Sequence, residues 1–324
     1  MFEGKVILIT GGTGSFGRAF AHTLLTQHNP AKVIILSRDE LKQYEMAQDF
    51  SGHESIRFFL GDVRDKDRLY RAFRGVDVVI HAAALKQVPA AEYNPFEVIK
   101  TNIMGAQNII DAAIDTQVSH VLALSTDKAA APINLYGATK LCSDKLFIAA
   151  NAYAGTGRTR FSVVRYGNVL GSRGSVIPFF QEQRKLGFLP VTDPRMTRFW
   201  ITLQQGMDFV TKSLSRMVGG ELFVPKLPSM NIMDLARAMC PECRIETVGI
   251  RPGEKLHEIM IPRDEARNTL EYEDHFVITP NFRFFEERYD KSTATPVSED
   301  FEYNSLDNPW KLSIESLREH LEVI

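Results

Sequence analysis

The chain has 324 residues, is 44% hydrophobic and 24% charged, and sets 38 Lys and Arg against 40 Asp and Glu for a net charge of −2. That size supports one large α/β unit, or a large and a small domain, around a sizeable core. The near-neutral charge offers no global field for nucleic acid or an anionic membrane, so neither is expected as a partner, and an anionic ligand must be met by local cations. No apolar run reaches the length of a bilayer span, and the first residues enter a strand pattern without a signal-peptide layout. Three cysteines argue against a disulfide framework. The expectation is a cytoplasmic protein in a reducing compartment.

Five short apolar runs stand in the first half, at Val6–Ile9, Val33–Leu36, Ile56–Leu60, Val76–Ile80 and Val121–Leu124. Each is continuous and bounded by polar or glycine residues, which predicts strands buried on both faces by crossover helices. Their repetition with amphipathic stretches predicts an α/β fold, a Rossmann-like doubly wound parallel sheet. Phe161–Arg165 predicts a sixth strand after a long helix that begins near Tyr136. Beyond Gly167 the rhythm shortens and prolines recur, which predicts a smaller C-terminal substrate-binding lobe over the sheet's C-terminal edge. The expected division is a dinucleotide-binding domain over 1–167, the lobe over 168–278 with some return to the core, and an excursion and tail over 279–324. The polar stretch Pro280–Pro309 reads as surface.

Thr10-Gly11-Gly12-Thr13-Gly14-Ser15-Phe16-Gly17 follows the first strand and opens a helix. In that context Gly11 permits the turn, Gly14 lets backbone approach a pyrophosphate, Gly17 allows close helix packing, and the helix start offers N–H groups to phosphate. The spacing resembles that of the extended short-chain dehydrogenases/reductases. Ser37-Arg38-Asp39 ends the second strand; with the guanidinium first and the acid one residue into the loop, NADP is expected over NAD. By resemblance to that superfamily, Asp62 and Val63 contact adenine and Ala82, Ala83 and Ala84 form the small-residue loop beside ribose and nicotinamide. Asn102 resembles a buried structural asparagine.

Ser125-Thr126-Asp127-Lys128 and Tyr136 to Lys140 place five proton-moving groups within sixteen residues. Tyr136 and Lys140 share one helix face, so the ammonium is expected to depress the phenol pKa and make a usable base. Asp127 and Lys128 exceed what alcohol oxidation requires and suggest a second reaction that breaks a C–H and a C–O bond.

Together with Leu85–Pro95, Arg165–Val176, Met196–Phe199 and Ile250–Glu258, these motifs resemble the inverting UDP-N-acetylglucosamine 4,6-dehydratases. That family begins pseudaminic acid synthesis for flagellin glycosylation and lies in the polysaccharide-biosynthesis branch of the superfamily. The resemblance implies oxidation at sugar carbon 4, with Tyr136 taking the hydroxyl proton beside Lys140 and Thr126. It implies that Lys128, its pKa depressed by burial and by Lys140, takes the carbon 5 proton while Asp127 donates to the departing hydroxyl. Retaining dehydratases carry a glutamate where Lys128 stands, a difference compatible with inversion. For the dianionic UDP-sugar, Arg251, Arg173, Arg198 and Lys255 are the expected cations and Glu258 the ribose acceptor. Asn168 and the Val176–Pro178 segment resemble the diphosphate and uracil contacts, and Lys86 a residue near the sugar.

Cys240-Pro-Glu-Cys243 has zinc-knuckle spacing but lacks a second ligand pair, so no metal is expected. Leu141, Leu146 and Phe147 read as packing in the helical interface of a homo-oligomer, a dimer or a hexamer built from dimers. The alternatives are a nucleotide-sugar 4-epimerase, a retaining dehydratase, or a non-catalytic NADP-sensing protein. The last is disfavoured by the intact Tyr136 and Lys140.

Overall fold

The computed structural model describes residues 1–155, 157–171, 175–282 and 293–322. Six parallel strands arise where the apolar runs predict them: β1 (Val6–Thr10), β2 (Lys32–Ser37), β3 (Ile56–Leu60), β4 (Val78–His81), β5 (His120–Thr126) and β6 (Arg160–Tyr166). Between them run α1 (Ser15–Gln27), α2 (Glu40–Asp49), α3 (Lys66–Ala72), α4 (Val88–Tyr93), α5 (Pro95–Ile99), α6 (Gly105–Asp115) and α7 (Leu135–Ala154). Asp39, Asp65 and Asn134 cap α2, α3 and α7 by accepting backbone N–H groups, which fixes where each helix begins. Helices cover both faces, so Ile7, Leu8, Ile9, Val33 and Ile35 are wholly buried and need no polar alternation.

The second half is built from shorter pieces: β7 (Asn168–Val169), α8 (Val176–Gln183), β8 (Phe188–Val191), β9 (Thr197–Ile201), α9 (Leu203–Arg216), β10 (Leu222–Pro225), β11 (Ser229–Asn231) and α10 (Ile232–Met239). After them come β12 (Arg244–Thr247), β13 (Ile259–Ile261), α11 (Arg263–Ala266), β14 (Thr269–Glu271), β15 (His275–Ile278), β16 (Thr295–Pro296), β17 (Tyr303–Asn304) and α12 (Ile314–Glu322). The main sheet has the order β16-β14-β15-β10-β6-β5-β4-β1-β2-β3. It is parallel from β3 to β10 and antiparallel beyond. Residues past 167 therefore return to the sheet with four strands. The lobe keeps its own core, where Phe180, Leu189, Trp200, Met230 and Leu235 meet Leu317 of α12.

Three expectations change. The stretch read as surface tail is structural where it is described: the Tyr303 hydroxyl exchanges hydrogen bonds with the N–H and carbonyl of Leu227, and Ser305 and Asn308 are buried. Its polar composition reflects satisfied buried hydrogen bonds rather than exposure. Cys240 and Cys243 are joined as a disulfide at the end of α10, their Cα atoms 5.3 Å apart, within the span such a bridge needs. Phe147, assigned to an intersubunit face, lies in the core against the His81 ring.

Candidate active site

A cleft of about 600 Å³ opens where the chain leaves the C-terminal ends of β1, β4 and β5, at the point where connections diverge to the two sides of β1. Gly11 has φ +65° and a Cβ there would sit 2.9 Å from the Ala83 backbone, so only glycine fits. Gly14 is the N-cap of α1 and supplies no side-chain cap, which leaves the first-turn N–H groups around Ser15, Phe16 and Gly17 open to an anion. Thr13 shares a hydrogen bond of 2.9 Å with Ser37, tying the loop to β2. This cradle fits the pyrophosphate of a dinucleotide.

At the rim, Asp39 is already engaged: it caps Lys42 N–H and receives the Lys42 ammonium at 2.6 Å. Arg38 is 47% exposed and only loosely paired with Asp62 at 3.4 Å. Asp62 is held more tightly by Arg64, and its carboxyl lies below the usual range because the Arg64 and Arg38 guanidiniums outweigh burial. Val63 also lines the cleft.

Ala82, Ala83 and Ala84 line the cleft after β4, where bulk would close it. Their loop is pinned by Asn102, which accepts from Leu85 N–H at 2.8 Å and donates to Leu85 O and to Thr139 at 2.9 and 3.0 Å. Asn102 sits in a one-turn π-helix, Lys100–Met104, a distortion frequent at functional sites. Burial drives the His81 pKa down to about 3; its neutral ring pairs with Thr10 at 2.8 Å.

The proton-moving residues converge below this loop. Thr126 ends β5, Asp127 and Lys128 form the 3-10 turn that follows, and Tyr136 and Lys140 lie in the first turns of α7. The Lys128 ammonium reaches Asp127 at 3.0 Å, Asn168 at 3.5 Å and Glu258 at 3.5 Å. Burial disfavours its charge, but Asp127 and Glu258 overcome burial and hold the ammonium above its ordinary pKa. The expected depression of Lys128 is thereby overturned. Burial also pushes the Tyr136 phenol up to about 12, and the first cation opposing that rise is Lys128, not Lys140. Lys140 instead donates to Leu124 O at 2.9 Å, and burial lowers its pKa against the opposing pull of Asp144.

Of the expected substrate cations, Lys86 lines the cleft, its pKa lowered by burial and by Lys128. Arg198 binds main-chain oxygens of Thr197, Lys255 and Leu256 and approaches Glu258 at 3.7 Å, bracing the segment before β13. Lys255 donates to Ala130 O at 2.6 Å. Arg251 is exposed in the turn that Gly253 closes against Asn134. Val176 packs against the lobe's core, and Arg173 lies outside the described residues. Two buried groups carried no expectation. Arg165, at the end of β6, binds Met260 O at 2.8 Å and Glu265 at 2.7 Å and faces Asp144 at 3.6 Å. Asp144 accepts from Ser125 at 2.8 Å. Its i+4 spacing from Lys140 was the available signal.

Fold and cleft define a dinucleotide-binding enzyme of the extended short-chain dehydrogenase/reductase type. Residues 7–280 match the family described as polysaccharide biosynthesis protein, and the chain belongs to it. It is 55% identical, over 100% of its length and 98% of the relative's, to the UDP-N-acetylglucosamine 4,6-dehydratase (inverting) of Campylobacter jejuni. It is 41% identical to the UDP-glucose 4-epimerase of Rickettsia conorii, covering 86% of this chain and 84% of the other. Among solved structures, Pen from Bacillus thuringiensis superposes with a TM-score of 0.92 at 37% identity, covering 100% of this chain and 98% of that one.

Proposed function

We propose that the chain is an NADP-linked dehydratase that converts UDP-N-acetylglucosamine to UDP-2-acetamido-2,6-dideoxy-β-L-arabino-hex-4-ulose, inverting carbon 5, as the first step of pseudaminic acid synthesis. The observation that carries this reading is the ion pair at 3.0 Å between buried Asp127 and cleft-facing Lys128, beside Tyr136, in a chain 55% identical to a relative of that name. Arg38, free of Asp39 and half exposed at the rim, favours the 2′-phosphate of NADP.

A dinucleotide held by the Gly11–Gly17 loop and Arg38 would supply a hydride acceptor for carbon 4 and a hydride donor for carbon 6. Burial holds the Tyr136 phenol high, so the phenolate that accepts the carbon 4 hydroxyl proton is the form favoured by the Lys128 ammonium and by Thr126, which bonds the same oxygen. The 4-ketone then acidifies carbon 5. The resting pair is charged, Asp127 carboxylate beside Lys128 ammonium, and one proton passed across their 3.0 Å contact makes a neutral acid and a neutral amine. The Lys128 amine takes the carbon 5 proton, the carbon 6–oxygen bond breaks, and Asp127 gives its proton to the departing hydroxide, which leaves as water. The ion pair is restored by that step. Carbon 5 finally takes a proton from the opposite face, supplied by the Tyr136 hydroxyl after exchange with solvent, which returns Tyr136 to the phenolate it began as. Asn168, Lys86 and Lys255 are assigned to the sugar and diphosphate, Arg251 to the diphosphate together with Arg173, which lies outside the described residues, and Val176–Pro178 to the uracil. Phe96 and Tyr153, 59% and 66% exposed, suit the helical face of a homo-oligomer, and the pathway implies a cytoplasmic setting.

An epimerase reading draws on the Rickettsia relative, yet epimerisation leaves Asp127 and Lys128 without work. The test is turnover of UDP-N-acetylglucosamine in deuterated water followed by NMR. Deuterium at carbon 5 of a 4-keto-6-deoxy L-arabino product is expected. A 4-epimer without solvent deuterium would overturn the reading.

A further inference from the structure

Glu258 has a place that neither the motif resemblance nor the comparisons explain. Its side chain is 3% exposed, and one carboxylate oxygen faces Lys128 at 3.5 Å and Arg198 Nε at 3.7 Å. The other oxygen is buried with no hydrogen-bond partner among the described residues, as is Oδ2 of Asp127. A buried carboxylate left half satisfied costs stability unless it serves a charge nearby. Its backbone is locked: Glu258 N–H donates to Ser305 Oγ at 2.9 Å and its carbonyl accepts from Ser305 N–H at 2.9 Å. Ser305 is held in turn by Thr197, with its hydroxyl at 2.7 Å from that of Thr197. Lys128 belongs to the cleft wall and Glu258 does not.

We propose that Glu258 is a positioning residue of the catalytic centre, which the segment before β13 places behind Lys128 to fix the place and the charge of its ammonium, rather than a contact to the substrate ribose. The charged and titratable groups around Lys128 are Asp127 on its own turn, Tyr136 on α7, Lys86 after β4, Arg198 on β9, and Lys255 and Glu258 before β13. Three of these neighbours are cations, so a single carboxylate leaves the ammonium outnumbered. Glu258 is the second anion, and it comes from a segment remote in sequence that Ser305 and Thr197 hold in place. The proposal rests on Lys128 handling the carbon 5 proton as set out above.

The experiment compares Glu258→Gln and Glu258→Asp with the unmodified enzyme in two readouts. In the first, the rate at which the Lys128 amine is acylated by an amine-directed reagent is followed against pH by peptide mass spectrometry, without substrate. Removing an anion at 3.5 Å should lower the ammonium's midpoint in Glu258→Gln by about one to three pH units, with Glu258→Asp lying between. In the second, turnover of UDP-N-acetylglucosamine is measured over the same range. The alkaline limb of kcat should move to lower pH in Glu258→Gln while KM changes less than about threefold. An unmoved acylation midpoint, or a KM raised tenfold with an unchanged pH profile, overturns the proposal and returns Glu258 to the ribose. If the unmodified enzyme makes no 4-keto-6-deoxy product, the reaction assignment fails, and the acylation midpoint still decides the role of Glu258.

Discussion

Replacing Arg38 by alanine tests the cofactor assignment directly. The guanidinium is 47% exposed, and its partner Asp62, at 3.4 Å, is separately held by Arg64 at 2.7 Å, so the substitution strands no buried charge. Hydrogen bonds to charged groups contribute about 1.5–3 kcal/mol each. Solvent screening at a half-exposed site reduces a paired contact with a 2′-phosphate to about 1.5–2 kcal/mol in total. That corresponds to a loss of about 10- to 30-fold in affinity. NAD lacks the 2′-phosphate and should bind the variant within about threefold of the parent. Isothermal titration of both proteins with both dinucleotides gives the four constants. Equal weakening toward NADP and NAD, or no change toward either, would refute the reasoning and leave Arg38 as a rim residue paired with Asp62.

Lys128→Ala should abolish loss of water, read by NMR of the product, while NADP affinity by calorimetry stays within about twofold; surviving turnover would remove Lys128 from the role given to it. Arg165→Met removes a guanidinium that is 1% exposed and bound to Met260 O and Glu265. Breaking such a buried pair costs about 3–5 kcal/mol and should lower Tm by roughly 6 °C or more; a fall under about 2 °C would show that Asp144 and Glu265 are satisfied without it.

Much of the dinucleotide half was legible because its signals are local. Buried parallel strands read as unbroken apolar runs, and Gly11 and Gly17 announce a close backbone approach that no other residue permits. The tyrosine–lysine pair and the Asp127–Lys128 step were equally visible, since neighbours in sequence stay neighbours on a helix or turn. What escaped was long-range. Lys128 carries no mark of Glu258, which lies 130 residues further along, so its expected pKa had the wrong direction. Arg198 looked like a phosphate ligand because its type suits one, yet in three dimensions its guanidinium braces carbonyls at 255 and 256. The polar run near 300 was misread for a related reason: Asn308 and Ser305 are spent on buried backbone groups, a use that composition cannot distinguish from solvation.

The grip of Ser305 on Glu258 has a temporal consequence. During synthesis the sheet, the glycine loop and the Asp127–Lys128 turn can assemble while residues near 300 are still inside the ribosome, so the nascent protein acquires a place for its dinucleotide first. The lysine behind which Glu258 must lock acquires its final surroundings only when Ser305 has emerged. A nascent chain of this protein should therefore hold cofactor before the surroundings of Lys128 are complete.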